Sequence, residues 1–127
     1  MGEFSDGVSE WVRNVRRQMD EIAQEYAEKG GHFVVDATPA ITGKLKGGWY
    51  FRVNSDDIRP SQPVDPTGAI TKALMSAEAR NIRWGDRIEI VNDVIYGFWV
   101  DQGTRYFEGR DMVGRTITYL EGLDIGF

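Results

Sequence analysis

VSEWVRNVRRQMDEIAQEYAEKGGHFVVDA, residues 8–37, is the stretch that decides the fold. Val8, Val12, Val15, Met19, Ile22, Tyr26 and Phe33 recur at three- and four-residue spacing, with Trp11, Ala23 and Ala27 beside them. That period is one face of an α-helix. Arg13, Arg16, Arg17, Asp20, Glu21, Glu25 and Glu28 fill the other face. Arg16–Asp20, Arg17–Glu21 and Glu25–Lys29 stand four apart, and each such pair contributes about 0.3 kcal/mol. Ser5, Asp6 and Ser9 offer N-caps. Gly30-Gly31 is the weak point, at about 1 kcal/mol per glycine against alanine. The apolar spacing nevertheless resumes at Phe33, Val34 and Ala37. Thr38-Pro39 ends the helix, because the residue before proline avoids the α conformation.

The length of this helix matters. Thirty residues span about 45 Å, whereas a globule of this chain length is roughly 36 Å across. Either the helix breaks at Gly30-Gly31, or its N-terminal half packs on another chain. We favour the second, an oligomer.

The rest of the chain supplies short elements. Residues 42–48 form a polar, glycine-rich connector. Residues 48–54 alternate as a strand, with Trp49, Phe51 and Val53 on one face and Tyr50, Arg52 and Asn54 on the other. Residues 55–67, punctuated by Pro60, Pro63 and Pro66, read as a loop longer than most connections. A helix over 68–81 groups Ile70, Ala73, Leu74 and Ala77 on one face. Trp84-Gly85-Asp86 turns into a strand over 87–92, with Ile88 and Ile90 inward. Residues 95–102 form a short aromatic helix stopped by Gly103. Residues 104–110 are a second exposed loop. A last helix over 112–121, capped by Asp111, turns Val113, Ile117 and Leu120 inward. The expected class is α+β: a long N-terminal helix packed on a small, mostly antiparallel sheet with shorter helices, in a single domain over 1–127.

Composition closes several routes. The 127 residues are 41% apolar and 28% charged, ordinary globular values. No apolar stretch approaches the roughly 18 residues of a membrane helix. The first residues carry neither a secretory signal nor a myristoylation motif. With no Cys and one His, thiolate sites, disulfides and the common zinc sites are excluded. Fifteen basic against twenty acidic residues leave a net charge of −5, which disfavours sequence-independent binding to nucleic acid.

Each candidate for chemistry has a plainer reading. Gly43-Lys44-Leu45-Lys46-Gly47-Gly48 lacks the lysine placement and preceding strand of a phosphate loop, so it reads as a turn. Asp93, Asp101, Glu108 and Asp111 match no metal or paired-carboxylate spacing. His32 has no Ser or Asp at a catalytic spacing. Lys44, Lys46, Arg52, Arg83 and Arg87, interleaved with aromatics, would suit a single-stranded nucleic-acid binder only if they shared one exposed face. A small cytoplasmic enzyme would instead need a concave site with a perturbed carboxylate. Tyr96, Phe98, Trp99, Tyr106 and Phe107 fit either a core or a protein–protein patch.

The order of motifs says more. A long helix runs into Val35-Asp36-Ala37-Thr38-Pro39 and then Thr42-Gly43-Lys44-Leu45-Lys46-Gly47-Gly48-Trp49. Gly85-Asp86-Arg87-Ile88-Glu89-Ile90-Val91-Asn92-Asp93 follows, then Tyr96-Gly97-Phe98-Trp99-Val100-Asp101-Gln102-Gly103-Thr104. Gly109-Arg110-Asp111-Met112-Val113-Gly114-Arg115-Thr116-Ile117 opens the last helix. Over residues 33–120 this resembles the tail-completion (neck, head–tail joining) proteins of tailed bacteriophages, relatives of the lambda minor tail protein Z. Asp101 stands where that family carries Glu.

The resemblance implies a structural virion protein without enzymatic activity, cofactor or metal. It implies a closed ring, with six copies expected, made in the host cytoplasm and lodged in the neck. Its partners would be further copies of itself, the head-side connector or head-completion protein, and the tail terminator or tail tube. Genomic DNA would pass through the lumen without specific binding, and the net acidity would keep phosphate from sticking. Scaffold roles follow for Trp49, Gly97, Gly103, Met112 and Ile117, the last two closing the core over the sheet. Contacts are expected from the N-terminal half of the long helix (Trp11, Arg16, Met19), the 56–67 loop (Asp57, Arg59) and the 104–111 loop (Thr104, Arg105, Tyr106, Phe107, Arg110).

Overall fold

A computed structural model describes residues 2–40, 43–57, 64–94, 97–104 and 107–123. Helix α1 (Gly2–Ala37) runs unbroken through Gly30-Gly31 and takes in Ser5, Asp6 and Ser9, which therefore are not caps. A 3₁₀ turn (Lys46–Gly48) leads into β1 (Trp49–Val53), followed by α2 (Ala69–Ala79), β2 (Ile88–Asn92), α3 (Gly97–Gln102), β3 (Gly103–Thr104), β4 (Phe107–Glu108) and α4 (Met112–Glu121). The architecture is α+β, a long N-terminal helix packed on a small antiparallel sheet with shorter helices.

Strands β1 and β2 pair antiparallel, from Trp49 opposite Asn92 to Val53 opposite Ile88. Residues directly opposite share a face. Phe51, Val53, Ile88 and Ile90 therefore lie on the core side, and Arg52 and Glu89 meet on the other, at 2.7 Å. The segment expected as an exposed loop over 104–110 contains a hairpin instead, with Gly103 paired to Glu108 and Thr104 to Phe107.

Gly30 and Gly31 explain why α1 can serve as the central beam. A side chain at Gly30 would meet Leu120 Cδ1 of α4 at 3.1 Å and Ile90 Cδ1 of β2 at 3.4 Å. One at Gly31 would meet Met75 Cε of α2 at 2.6 Å and Phe51 Cζ of β1 at 3.0 Å. The two glycines thus open adjacent notches, one for α4 and one for α2. The helix gives up propensity there and gains close packing on two sides. Phe33 stacks on Tyr119 of α4, with ring centroids 4.4 Å apart.

The C-terminus of α1 carries no basic residue in its last turn. Lys46 supplies the charge from outside: its Nζ donates to Val35 O at 2.7 Å and Thr38 O at 2.8 Å. A cation at this end also complements the helix dipole. Thr38 is a second tie, accepting from Trp49 Nε1 at 2.8 Å and donating to Val34 O. Trp49 therefore does anchor the sheet to the long helix.

Helix α2 begins at Gly68, whose φ of 78° suits glycine and whose missing side chain leaves room for Val35. Gly68 sits at the N-cap position with no side chain to offer, and Asp65 supplies the cap bond instead. Its carboxylate accepts from Thr71 N at 2.7 Å and Thr71 Oγ1 at 2.8 Å. Burial pushes the Asp65 carboxyl up, but hydrogen bonds from Thr71, Gly68 and Ile70 outweigh that and hold it below the ordinary carboxylate value.

The buried faces of two helices differ from the sequence reading, although Leu120 does turn inward, against Gly30 of α1. In α2 the buried residues are Thr71, Met75 and Ala79, while Ile70, Ala73, Leu74 and Ala77 face solvent. In α4 Met112 and Thr116 are buried, whereas Val113 and Ile117 are exposed. Ile117 thus does not close the core. The faces that turn inward are those that meet the glycines of α1, with Met75 of α2 against Gly31 and Leu120 of α4 against Gly30.

Candidate functional site

The body holds α1 only over part of its length. All five buried residues of α1 lie at or beyond Ala27. Anchoring begins at Asp20, which accepts from Trp84 N at 2.9 Å, and continues at Gln24, which donates to Ile82 O at 2.9 Å. Asp20 also faces Arg83 Nε at 3.9 Å rather than pairing with Arg16. Of the expected intrahelical pairs, Glu25–Lys29 forms, at 3.0 Å. Residues 2–19 form an overhang of about 27 Å. Phe4 is 84% exposed and Trp11 65%, with Val8 also exposed on the same stripe. Arg13, Arg16 and Arg17 line a shallow groove together with Asp20, Glu21, Gln24 and Arg83.

More apolar surface faces outward on the body. Ile70 and Leu74 present one turn-spaced pair on α2, and Val113 and Ile117 present another on α4. Phe98 and Trp99 of α3 are both exposed and pack edge to face, with centroids 5.2 Å apart. Trp84 adds an exposed indole at the root of the overhang. Scattered apolar residues are normal on a surface, whereas paired apolar faces such as these are candidate contact surfaces.

The sequence-predicted contact residues are distributed as follows. Trp11 and Arg16 are exposed on the overhang, and Met19 is half-buried at its base. Asp57 is exposed and its N–H donates to Ser55 Oγ at 3.0 Å. Arg110 is exposed beside the hairpin, where its N–H donates to Val100 O at 2.8 Å. Thr104 and Phe107 are a cross-strand pair. Arg59, Arg105 and Tyr106 lie outside the described residues, as does Tyr96 of the aromatic cluster.

The structure brings Arg52 and Arg87 together on Glu89 but does not place all the basic residues considered for nucleic acid on one exposed face. Lys46 is buried on the α1 carbonyls, and burial pushes its ammonium below the usual lysine value, with Lys72 adding to that and Asp36 and Asp65 opposing it. Arg52 is held by Glu89 on the sheet. Arg87 pairs with Asp56 at 3.0 Å and lies near Glu89.

The carboxylates are also structural. Asp93 accepts from Tyr50 Oη. Asp111 sits at the α4 N-cap position with φ of 49°, but its side chain makes no cap bond. Asp101 caps α4 instead: its Oδ1 accepts from Val113 N at 3.0 Å, and its carbonyl accepts from Asp111 N at 2.9 Å. The sequence reading missed this role, although the motif match had already singled Asp101 out. His32 lies near the C-terminal end of α1, with Nε2 2.8 Å from Ser76 Oγ and 3.1 Å from Lys72 O. It joins α1 to α2. Among the described residues, no cluster of three or more His, Asp or Glu is placed to hold a metal ion, and no helix is long and apolar enough to cross a membrane.

No family model, curated protein or solved structure matches this chain.

Proposed function

We propose that this chain is a neck protein of a tailed bacteriophage, completing the tail and joining it to the head as one subunit of a ring. The observation that carries the reading is the overhang of α1, with Phe4, Val8 and Trp11 in solvent. A monomer has no use for such a stripe, whereas a ring subunit lays it on its neighbour. Ring contacts are heterologous, so they need two unlike surfaces on each copy. The overhang is one such surface, and the outward faces of α2, α3 and α4 supply candidates for the other. The order of the four sequence motifs supports the neck in particular.

In this reading six copies surround the DNA path. The head-side connector or head-completion protein lies on one side, and the tail terminator or tube on the other. Asp65, Asp101 and Lys46 terminate helices, and Asp93 and His32 tie elements together. The net charge of −5 lets phosphate pass without binding. Phage particles assembled without this chain test the proposal. Filled heads and separate tails are expected. Intact infectious particles would refute it.

A further inference from the structure

The overhang leaves the body at a corner, and that corner is basic. Arg13, Arg16 and Arg17 stand three and four residues apart, on the side of α1 that lines the groove, and Arg83 faces them from the body. All three arginines of α1 are exposed. Acidic neighbours on the same helix do not neutralise them. Asp20 turns instead to Trp84 N at 2.9 Å and to Arg83 Nε at 3.9 Å. Among the described residues, Arg13, Arg16 and Arg17 take part in no ion pair. The groove thus holds four guanidiniums against the carboxylates of Asp20 and Glu21, in a chain whose net charge is −5.

The same side of α1 turns acidic at both ends of this cluster. Glu10 and Asp6 precede Arg13 by three and seven residues, and Glu25 and Glu28 line the adjoining hollow beyond Gln24. A strand of nucleic acid laid along α1 would meet carboxylates in either direction. From Arg13 to Asp20 the basic stretch covers about 10 Å, the reach of roughly three residues of extended chain. All four cations are arginines, whose planar forks match carboxylates. We propose that this corner is a docking site for a short acidic segment of another protein, gripped by Arg13, Arg16, Arg17 and Arg83. The overhang supplies three of the grips and the body the fourth, so a bound segment also braces α1 where it leaves the body. The site is complete within one chain and does not rest on the neck assignment.

The test titrates the full-length chain into fluorescein-labelled hexaglutamate and follows fluorescence anisotropy at low salt. Wild type should bind, and R13Q/R16Q/R17Q should bind at least tenfold more weakly. R83Q, a single change on the body, should weaken binding severalfold without touching the overhang. R110Q/R115Q, which removes two exposed arginines elsewhere, should bind as wild type does. R13K/R16K/R17K keeps the charge but loses the forks, and should bind severalfold more weakly. Far-UV circular dichroism should show every variant folded, since all the changes are at exposed positions. A wild-type chain that ignores hexaglutamate overturns the proposal, as does equal weakening in R110Q/R115Q or none in R83Q. Tighter binding of labelled dT12 than of hexaglutamate would make the corner a nucleic-acid site instead. Self-association in sedimentation equilibrium that R13Q/R16Q/R17Q abolishes would assign it to a second copy, and overturn the separate partner.

Discussion

Replacing Gly31 by valine tests whether the glycine pair is a packing notch. An alanine Cβ at this position would lie 2.6 Å from Met75 Cε and 3.0 Å from Phe51 Cζ. Both neighbours are almost fully buried, so neither has solvent to retreat into. Overpacking of this kind costs about 1–3 kcal/mol. The gain in helix propensity over glycine is at most about 1 kcal/mol. Valine adds two methyl groups to the same notch and recovers less of that propensity, so Gly31→Val should destabilise by about 3 kcal/mol. For a domain of this size that lowers the melting temperature by roughly 10 °C. Gly7 on the overhang has nothing within 4 Å of an added Cβ, and Gly7→Ala should stabilise by up to about 1 kcal/mol. Urea unfolding followed by circular dichroism measures both. Pairing Gly31→Val with Met75→Ala should reveal a coupling of about 1 kcal/mol or more, because the truncated side chain vacates the notch. A Gly31→Val variant as stable as wild type, or no coupling to Met75, would refute the notch.

Three further outcomes follow from the junctions around the core. Gly43→Ala should destabilise by about 3 kcal/mol, since φ is 74° there and the new Cβ would lie 2.7 Å from Pro66 N in the backbone; thermal melts check it. Asp65→Ala removes the α2 cap and strands the buried Thr71 hydroxyl, at about 2–4 kcal/mol near neutral pH. Because the folded Asp65 carboxyl lies below its ordinary value, its contribution is complete above about pH 4 and disappears as pH falls through the folded value. An acid titration of stability should therefore be flatter in Asp65→Asn than in wild type over that range. Asp101→Ala should cost about 1 kcal/mol and speed amide exchange at the start of α4, where Val113 N loses its acceptor.

Much of the fold was legible because it rests on local periodicity. The alternation of Trp49, Phe51 and Val53 located β1, and the spacing after Asp111 located α4. The sidedness of α2 and α4 was not legible. A single sequence marks Ile70 with Leu74, or Val113 with Ile117, as an apolar face, but a core face and an interface face look alike by composition. The faces that turn inward meet Gly30 and Gly31, long-range contacts at a pair that periodicity reads only as a weak point of the helix. The capping by Asp65, Asp101 and Lys46 was hidden for a related reason. Each acts across a turn, on a helix it does not belong to. The helix length, in contrast, already demanded either a break at Gly30-Gly31 or an overhang, and the structure has the helix unbroken.

Immunogold electron microscopy of purified phage particles, with an antibody to this chain, tests the central claim most directly. Label concentrated at the head–tail junction is the expected result. Particles that carry no label there, while the infected-cell lysate is rich in the chain, would contradict the assignment to the neck.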